Sequence, residues 1–294
     1  MRMFSRITLA AAALSLSLAT GPAAAEVLHV VTSQGAREAI VLLVQRTPAP
    51  TVIVLHGATA TAERTAQASG FAEAAAAQGF VSVFPQGINR QWNDGREGHT
   101  SAVDDVGFLR RLVDELVRRG VADPARIYLA GISNGGMMTF RMLCDSAELF
   151  AGAATIIANM PAGIGERCTL RQPMRTVMFN GTADPLVPYA GGVVGFAGKR
   201  GLVWGAERTA EFVAHANQCA GAETAPLPAQ SSTASVHVTR LAWTSCRSGE
   251  SVTLYRLEGG GHQVPGRPTL FPRLLGLSTQ DIRAAETALA FLAR

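Results

Sequence analysis

The chain has 294 residues with a formal net charge of +4, and only 16% of its residues are charged. A leader of 25 residues, set aside below, leaves about 270, enough for one large domain with a buried core. Arginines are scattered, Lys199 is the single lysine, and no basic block interleaves with aromatics, so nucleic-acid binding is not expected. The positive mean hydropathy of +0.18 reflects abundant alanine rather than membrane segments.

Residues 1–25 read as a signal peptide. Arg2 and Arg6 form a positive n-region, an apolar run from Ile7 to about Ala19 follows, and Ala23-Ala24-Ala25 supplies small residues for cleavage before Glu26. That run is too short to span a bilayer comfortably, and no later segment reaches spanning length. The expectation is a secreted or periplasmic protein, cleaved near Ala25, with residues 26–294 as its single domain.

In chain order, Val27–Thr32 and Ala39–Val44 read as an opening strand pair, and Thr51–Leu55 as a strand buried on both faces. Ala62–Ala77 reads as one helix and Phe80–Phe84 as a strand. A polar loop, Gln86 to Ser101, precedes Asp104 and Asp105, which are read as caps of the helix that presents Phe108, Leu109, Leu112 and Leu116. Arg126–Ala130 is a strand and Asn134–Leu143 a helix; Ala151–Ile157 and Thr176–Asn180 are strands, and Glu207–Ala216 a helix. Ser235–Trp243 and Ser251–Leu257 read as antiparallel edge strands, and Thr279–Leu292 as a closing helix. The stretches Pro185–Gly201 and Ala220–Ala234 read as excursions from the fold. This alternation predicts an α/β fold: one domain with a mostly parallel sheet and helices on both faces.

Gly131-Ile132-Ser133-Asn134-Gly135 falls directly between a predicted strand and a predicted helix. A nucleophilic serine on a sharp strand-to-helix turn needs glycines two residues to either side, where side chains would collide. A serine hydroxyl also needs a base. Of six histidines, His262 in Gly259-Gly260-Gly261-His262 follows the last strand, where the order Ser, acid, His places the base. His56 belongs to another motif, His29 and His237 lie on predicted edge strands, His99 in the polar loop and His215 in a helix. The acid belongs between serine and histidine on a loop after a strand, which selects Asp184 in Asn180-Gly181-Thr182-Ala183-Asp184-Pro185. An oxyanion hole would draw one backbone N–H from Asn134 and one from Leu55-His56-Gly57-Ala58-Thr59, with Ala58 the first choice and Thr59 the next.

Cys144, Cys168, Cys219 and Cys246 are an even set, which in an exported chain favours two disulfides. Three connectivities exist; Cys144–Cys168 with Cys219–Cys246 is favoured, because each pair brackets one local stretch. No C-x-x-C is present, and neither a metal nor a cofactor is expected.

From Leu55 to the C-terminus these residues resemble the polyhydroxybutyrate depolymerase-like and feruloyl esterase-like branch of the α/β-hydrolases. The resemblance rests on Leu55-His56-Gly57, Trp92-Asn93, Val103–Phe108, Gly131–Met137, Asn180–Tyr189 and Gly259–His262. It implies an α/β-hydrolase fold and a secreted serine esterase without cofactor, acting on small-molecule or polymeric esters. It also implies Ser133, Asp184 and His262 as the triad and Trp92 near the cleft, as a substrate-binding or a packing residue. Two positions depart from the pattern: Ala58-Thr59-Ala60 stands where further glycine is usual, and Val264 where a tryptophan is. The second change argues against an aromatic-lined subsite. The leading expectation is therefore an esterase most like hydroxyalkanoate depolymerases. Feruloyl or acetylxylan esterases come next, ahead of a serine peptidase or a non-catalytic binding protein of the same fold.

Overall fold

The computed structural model describes residues 24–97, 102–196, 198, 200–231 and 234–294. The leader expected at residues 1–25 therefore lies almost entirely outside the described residues, as does His99.

Twelve strands are present among them: β1 (Ala24–Thr32), β2 (Gly35–Leu43), β3 (Ala49–Leu55), β4 (Val81–Pro85), β5 (Ala122–Ile132), β6 (Gly152–Ile156), β7 (Arg175–Gly181), β8 (Gly192–Val193), β9 (Leu202–Val203), β10 (Glu223–Pro226), β11 (His237–Trp243) and β12 (Val252–Glu258). Eight helices accompany them: α1 (Ala62–Ala68), α2 (Phe71–Gln78), α3 (Asp105–Arg118), α4 (Asn134–Ser146), α5 (Ala162–Gly165), α6 (Ala206–Ala216), α7 (Pro272–Leu275) and α8 (Ala284–Leu292). Ten strands form one sheet in the order β1-β2-β4-β3-β5-β6-β7-β12-β11-β10. The six from β4 to β12 run parallel, and an antiparallel pair extends each edge.

Period-two alternation sorts each central strand onto two cores. Val52 and Val54 of β3 point to the face covered by α1, α2 and α8, where Phe71, Ala75, Ala288 and Leu289 are buried. Ile53 and Leu55 point to the opposite face, with Phe108 and Leu112 of α3, Phe140 of α4 and Val213 of α6. Burial on both faces explains why β3 reads as an unbroken apolar run.

Several boundaries differ from expectation. The alanine-rich stretch is two helices, because Gly70 takes φ +86° and turns the chain between α1 and α2. The last helix begins at Ala284 rather than Thr279. β12 is interior, paired in parallel with β7, and the edge is β10, which comes from a stretch read as an excursion. The 185–201 excursion contributes β8, which pairs with β9 in a small separate hairpin. Asp104 caps α3 by accepting from the Gly107 N–H at 2.8 Å, but Asp105 is no cap. It is buried against Arg37 at 2.7 Å and accepts from the Asn93 N–H at 2.7 Å.

The disulfides are Cys144–Cys168 and Cys219–Cys246, closing sequence separations of 24 and 27 residues. Loops of that size stabilise by about 3 kcal/mol each through loss of unfolded-state entropy. They tie the C-terminal end of α4 to the loop after α5, and the end of α6 to the loop after β11.

The start of α4 packs hard against the ends of β3 and β5. A Cβ on Gly135 would sit 2.4 Å from the Leu55 carbonyl oxygen and 2.6 Å from that of His56. Gly135→Ala should therefore lower the unfolding free energy by about 1–3 kcal/mol in urea titration, with an unchanged m-value.

Candidate active site

The loops that follow β3, β5, β7 and β12 all leave the same edge of the sheet, the carboxyl ends of its parallel strands, where ligands of open α/β sheets bind. Ser133 occupies the turn from β5 into α4 with φ 54° and ψ −118°, a conformation sparsely populated by residues with a side chain. Three things hold it there. Its N–H donates to the Ile156 carbonyl at 2.9 Å, its carbonyl accepts from the Met137 N–H at 3.0 Å, and Gly131 and Gly135 let strand and helix close around it.

The structure brings Ser133, His262 and Asp184 together in one line. Ser133 Oγ is 3.0 Å from His262 Nε2, and His262 Nδ1 is 2.7 Å from Asp184 Oδ2. The other carboxylate oxygen of Asp184 accepts from the Leu186 and Val187 N–H groups, both at 2.8 Å, so a turn in its own loop orients the acid. The imidazole is held at its backbone too, where the His262 N–H donates to the Leu275 carbonyl at 2.6 Å. A hydroxyl, an imidazole and a buried carboxylate in this order can pass a proton from oxygen to nitrogen while the carboxylate stabilises the resulting charge.

Two backbone N–H groups expected to face the developing oxyanion, those of Ala58 and Asn134, line the same cavity as Ser133 and have no backbone acceptor among the described residues. Thr59, the second choice, is corrected: its N–H already donates to the Arg90 carbonyl at 2.8 Å.

Behind these donors lies a buried polar network that sequence reasoning did not reach. The Asn134 side chain accepts from the Trp92 N–H at 2.8 Å and donates to the Trp92 carbonyl at 3.0 Å and to Asp94 at 2.6 Å. Asp94 in turn pairs with Arg96, at 2.8 Å from Nη2. The Trp92 indole N–H donates to the His56 carbonyl at 2.9 Å. Trp92 is only 1% exposed and is not part of the cavity wall, which corrects its assignment to substrate binding. Its ring packs on His56 instead and braces the loop that carries Ala58. The one sequence signal for this network was adjacency, Trp92, Asp94 and Arg96 falling within five residues.

His56 has a structural role. Its Nδ1–H donates to the Gly57 carbonyl at 2.8 Å and its Nε2 accepts from the Gly87 N–H at 2.9 Å, which makes the ring neutral. Burial holds its pKa below the ordinary 6.5, the Gly57 bond opposes this, and the nearby Arg37 charge reinforces it. His29, His215 and His237 are exposed on β1, α6 and β11, and none of them lines the cavity with Ser133.

The cavity over Ser133 encloses about 890 Å³. Ile132, Met137, Ile157, Leu186, Val187 and Val264 give it an apolar lining. Val264 thus fills the place where the resemblance expected an aromatic ring.

Two outcomes follow. Trp92→Phe keeps the apolar packing but strands the His56 carbonyl, and should cost about 1–3 kcal/mol in chemical denaturation while lowering kcat more than it changes KM. For His56 the folded pKa lies below the unfolded one, so the unfolded chain takes up the proton first as pH falls. Its contribution to stability is full above about 6.5 and is lost on acidification; the fall in Tm between about pH 7 and pH 5 should be shallower in His56→Gln than in the parent.

Residues 72–160 match the model of the prolyl oligopeptidase family. A putative esterase, NocK, of Nocardia uniformis subsp. tsuyamanensis is 30% identical over 83% of this chain and 74% of its own length. Feruloyl esterase B of Piromyces equi is 30% identical over 73% of the chain, and poly(3-hydroxyalkanoate) depolymerase C of Paucimonas lemoignei 33% over 37%. The chain spans 39% of that feruloyl esterase and 27% of that depolymerase. The solved acetyl xylan esterase from Aspergillus awamori superposes with a TM-score of 0.55 at 15% identity, covering 81% of this chain and 94% of its own, a likeness of fold. The chain belongs to the esterase family that includes NocK, and its fold is that of the α/β-hydrolases.

Proposed function

We propose that the protein is an exported carboxylic ester hydrolase in which Ser133 is the nucleophile, His262 the general base and Asp184 its orienting acid. The observation that carries this reading is the hydrogen-bonded line from Ser133 Oγ through His262 to Asp184, with links of 3.0 and 2.7 Å. His262 Nε2 takes the Ser133 proton as Oγ attacks the ester carbonyl. The Ala58 and Asn134 N–H groups receive the oxyanion. Collapse of the tetrahedral intermediate expels the alcohol, protonated by the imidazolium, and leaves an acyl-enzyme on Ser133. Water, deprotonated by His262, then releases the acid.

The preferred substrate class is short hydroxyalkanoate esters and their oligomers. Similarity to a poly(3-hydroxyalkanoate) depolymerase supports it, as does a mainly aliphatic cavity lining in which valine stands at position 264 and Phe196 is the one phenyl ring among the described residues. Similarity to a feruloyl esterase supports hydroxycinnamoyl esters as a second reading. Export is supported by the two disulfides, which persist in oxidising compartments. Among the described residues no helix is long and apolar enough to cross a membrane.

The test is a panel of p-nitrophenyl acetate and butyrate, methyl ferulate and hydroxybutyrate oligomers, with an alanyl anilide as the amide control. Ser133→Ala should lower kcat by roughly 10⁴- to 10⁶-fold and abolish fluorophosphonate labelling, and Asp184→Asn should lower kcat by roughly 10⁴-fold. Undiminished turnover in Ser133→Ala overturns the assignment, and faster cleavage of the anilide than of any ester overturns the esterase chemistry.

A further inference from the structure

Charged groups in the cavity wall are all of one sign. Among the described residues Arg64, Arg96, Arg200 and Arg267 line it, and no aspartate or glutamate does. Among the described residues the side chains of Arg64, Arg200 and Arg267 form no ion pair; that of Arg267 donates from Nε to the Ala68 carbonyl at 2.8 Å. A wall of unpaired guanidinium groups around a low-dielectric cavity concentrates anions.

Arg96 adds a built donor to this field. Its side chain is 3% exposed, and Asp94, itself fully buried, takes its Nε at 2.9 Å and its Nη2 at 2.8 Å. That pairing consumes one edge of the planar guanidinium and fixes its orientation. Nη1, on the remaining edge, is buried without a hydrogen-bond partner. A donor in that state has given up water and received nothing in exchange, and such groups in native proteins call for an acceptor. Arg200 belongs to the same wall: Gly201, next in sequence, packs so closely that a Cβ on it would lie 2.9 Å from the Arg96 Cβ. Asp94 neutralises one charge of this pair, so a net positive charge remains beside an unfilled donor.

We propose that the cavity takes an ester that carries a free carboxylate elsewhere in the same molecule, bound by Arg96 with Arg200 beside it. Half-esters of dicarboxylic acids and hydroxyacid oligomers with a free carboxyl end are of this class. The inference rests on Ser133 as nucleophile, because it places the scissile ester and the carboxylate in one cavity. A carboxylate is the planar two-oxygen partner that a guanidinium edge such as Nη1/Nη2 pairs with.

The test compares mono-p-nitrophenyl glutarate with p-nitrophenyl valerate, which match in chain length and differ in the terminal charge. Wild-type protein should favour the glutarate in kcat/KM by about 10- to 100-fold, the equivalent of one charge-assisted hydrogen bond. That ratio should fall toward one in Arg200→Gln and in Arg96→Lys; the lysine retains the ion pair with Asp94 but not the second edge. Reading a ratio within each variant separates lost recognition from lost folding. Equal or greater preference for the valerate in active wild-type protein overturns the carboxylate site. Free glutarate should inhibit competitively, and equally strong inhibition by inorganic phosphate would overturn the carboxylate assignment in favour of a general anion sink. Turnover of neither ester, with no fluorophosphonate label on Ser133, overturns the nucleophile assignment and this inference with it.

Discussion

The approach of α4 to the ends of β3 and β5 is the constraint on which the remaining geometry depends. Gly131 and Gly135 bring backbone to within van der Waals reach, and Ser133 is left between them at a positive φ with its hydroxyl standing clear of strand and helix. Because α4 starts immediately after the serine, the Asn134 N–H is an unused helix-terminal donor. Because β3 ends against the same turn, the Ala58 N–H arrives on the other side of one small space. Parallel pairing then brings the loops after β7 and β12, which are neighbours in the sheet, to the histidine–carboxylate side of that space. One close contact between backbones thereby sets where four loops meet.

A polar core beneath this meeting point supplies rigidity that backbone pairing cannot. Asn134 contributes its backbone N–H to the cavity and its amide to Trp92 and Asp94, so the helix start and the 92–96 loop move as one body. Trp92 passes the restraint to His56, and His56 to the turn at Gly87. Under it, Arg37 spans Asp105, the Gln86 carbonyl and the ring of Phe108, its guanidinium 3.8 Å from that ring's centroid. Burial pushes the Asp105 carboxyl up, while the Asn93 N–H and Arg37 oppose that shift. Buried groups of this kind are stable only when mutually satisfied, which makes the network a single unit rather than a set of separate bonds.

The cavity joins two chemistries. Its wall is largely apolar, and its arginines give it a charge that the scattered distribution of arginine along the chain does not announce. Arg64 belongs to α1, Arg96 to the 92–96 loop, Arg200 to the hairpin excursion and Arg267 to the loop after His262. Only folding places these four guanidinium groups around one volume.

Period and punctuation in the sequence were enough for a mostly parallel sheet, its two covering layers and the order of serine, acid and histidine, but not for the interior place of β12 or for β10 at the edge. Those features are local: a continuous apolar strand, a glycine pair around a serine, a loop after a strand. The same holds for the disulfides, whose partners bracket short stretches of chain. What local pattern could not show was any feature decided by what lies across the fold. Gly70 splits a helix that alanine propensity alone would continue, because a left-handed residue there turns α2 onto α8. Asp105 looked like a helix cap, but Arg37, 68 positions earlier in sequence, draws it into the core. Trp92 carries no mark in sequence of which way its ring points, and burial against His56 took it away from the cavity. Hydrophobic period and turn chemistry are written residue by residue, and so the sequence by itself determined the fold class and the three groups now aligned at Ser133. Which donors stay free, which charges pair and which side chains face the cavity depend on contacts between distant segments, and only the tertiary structure decided them.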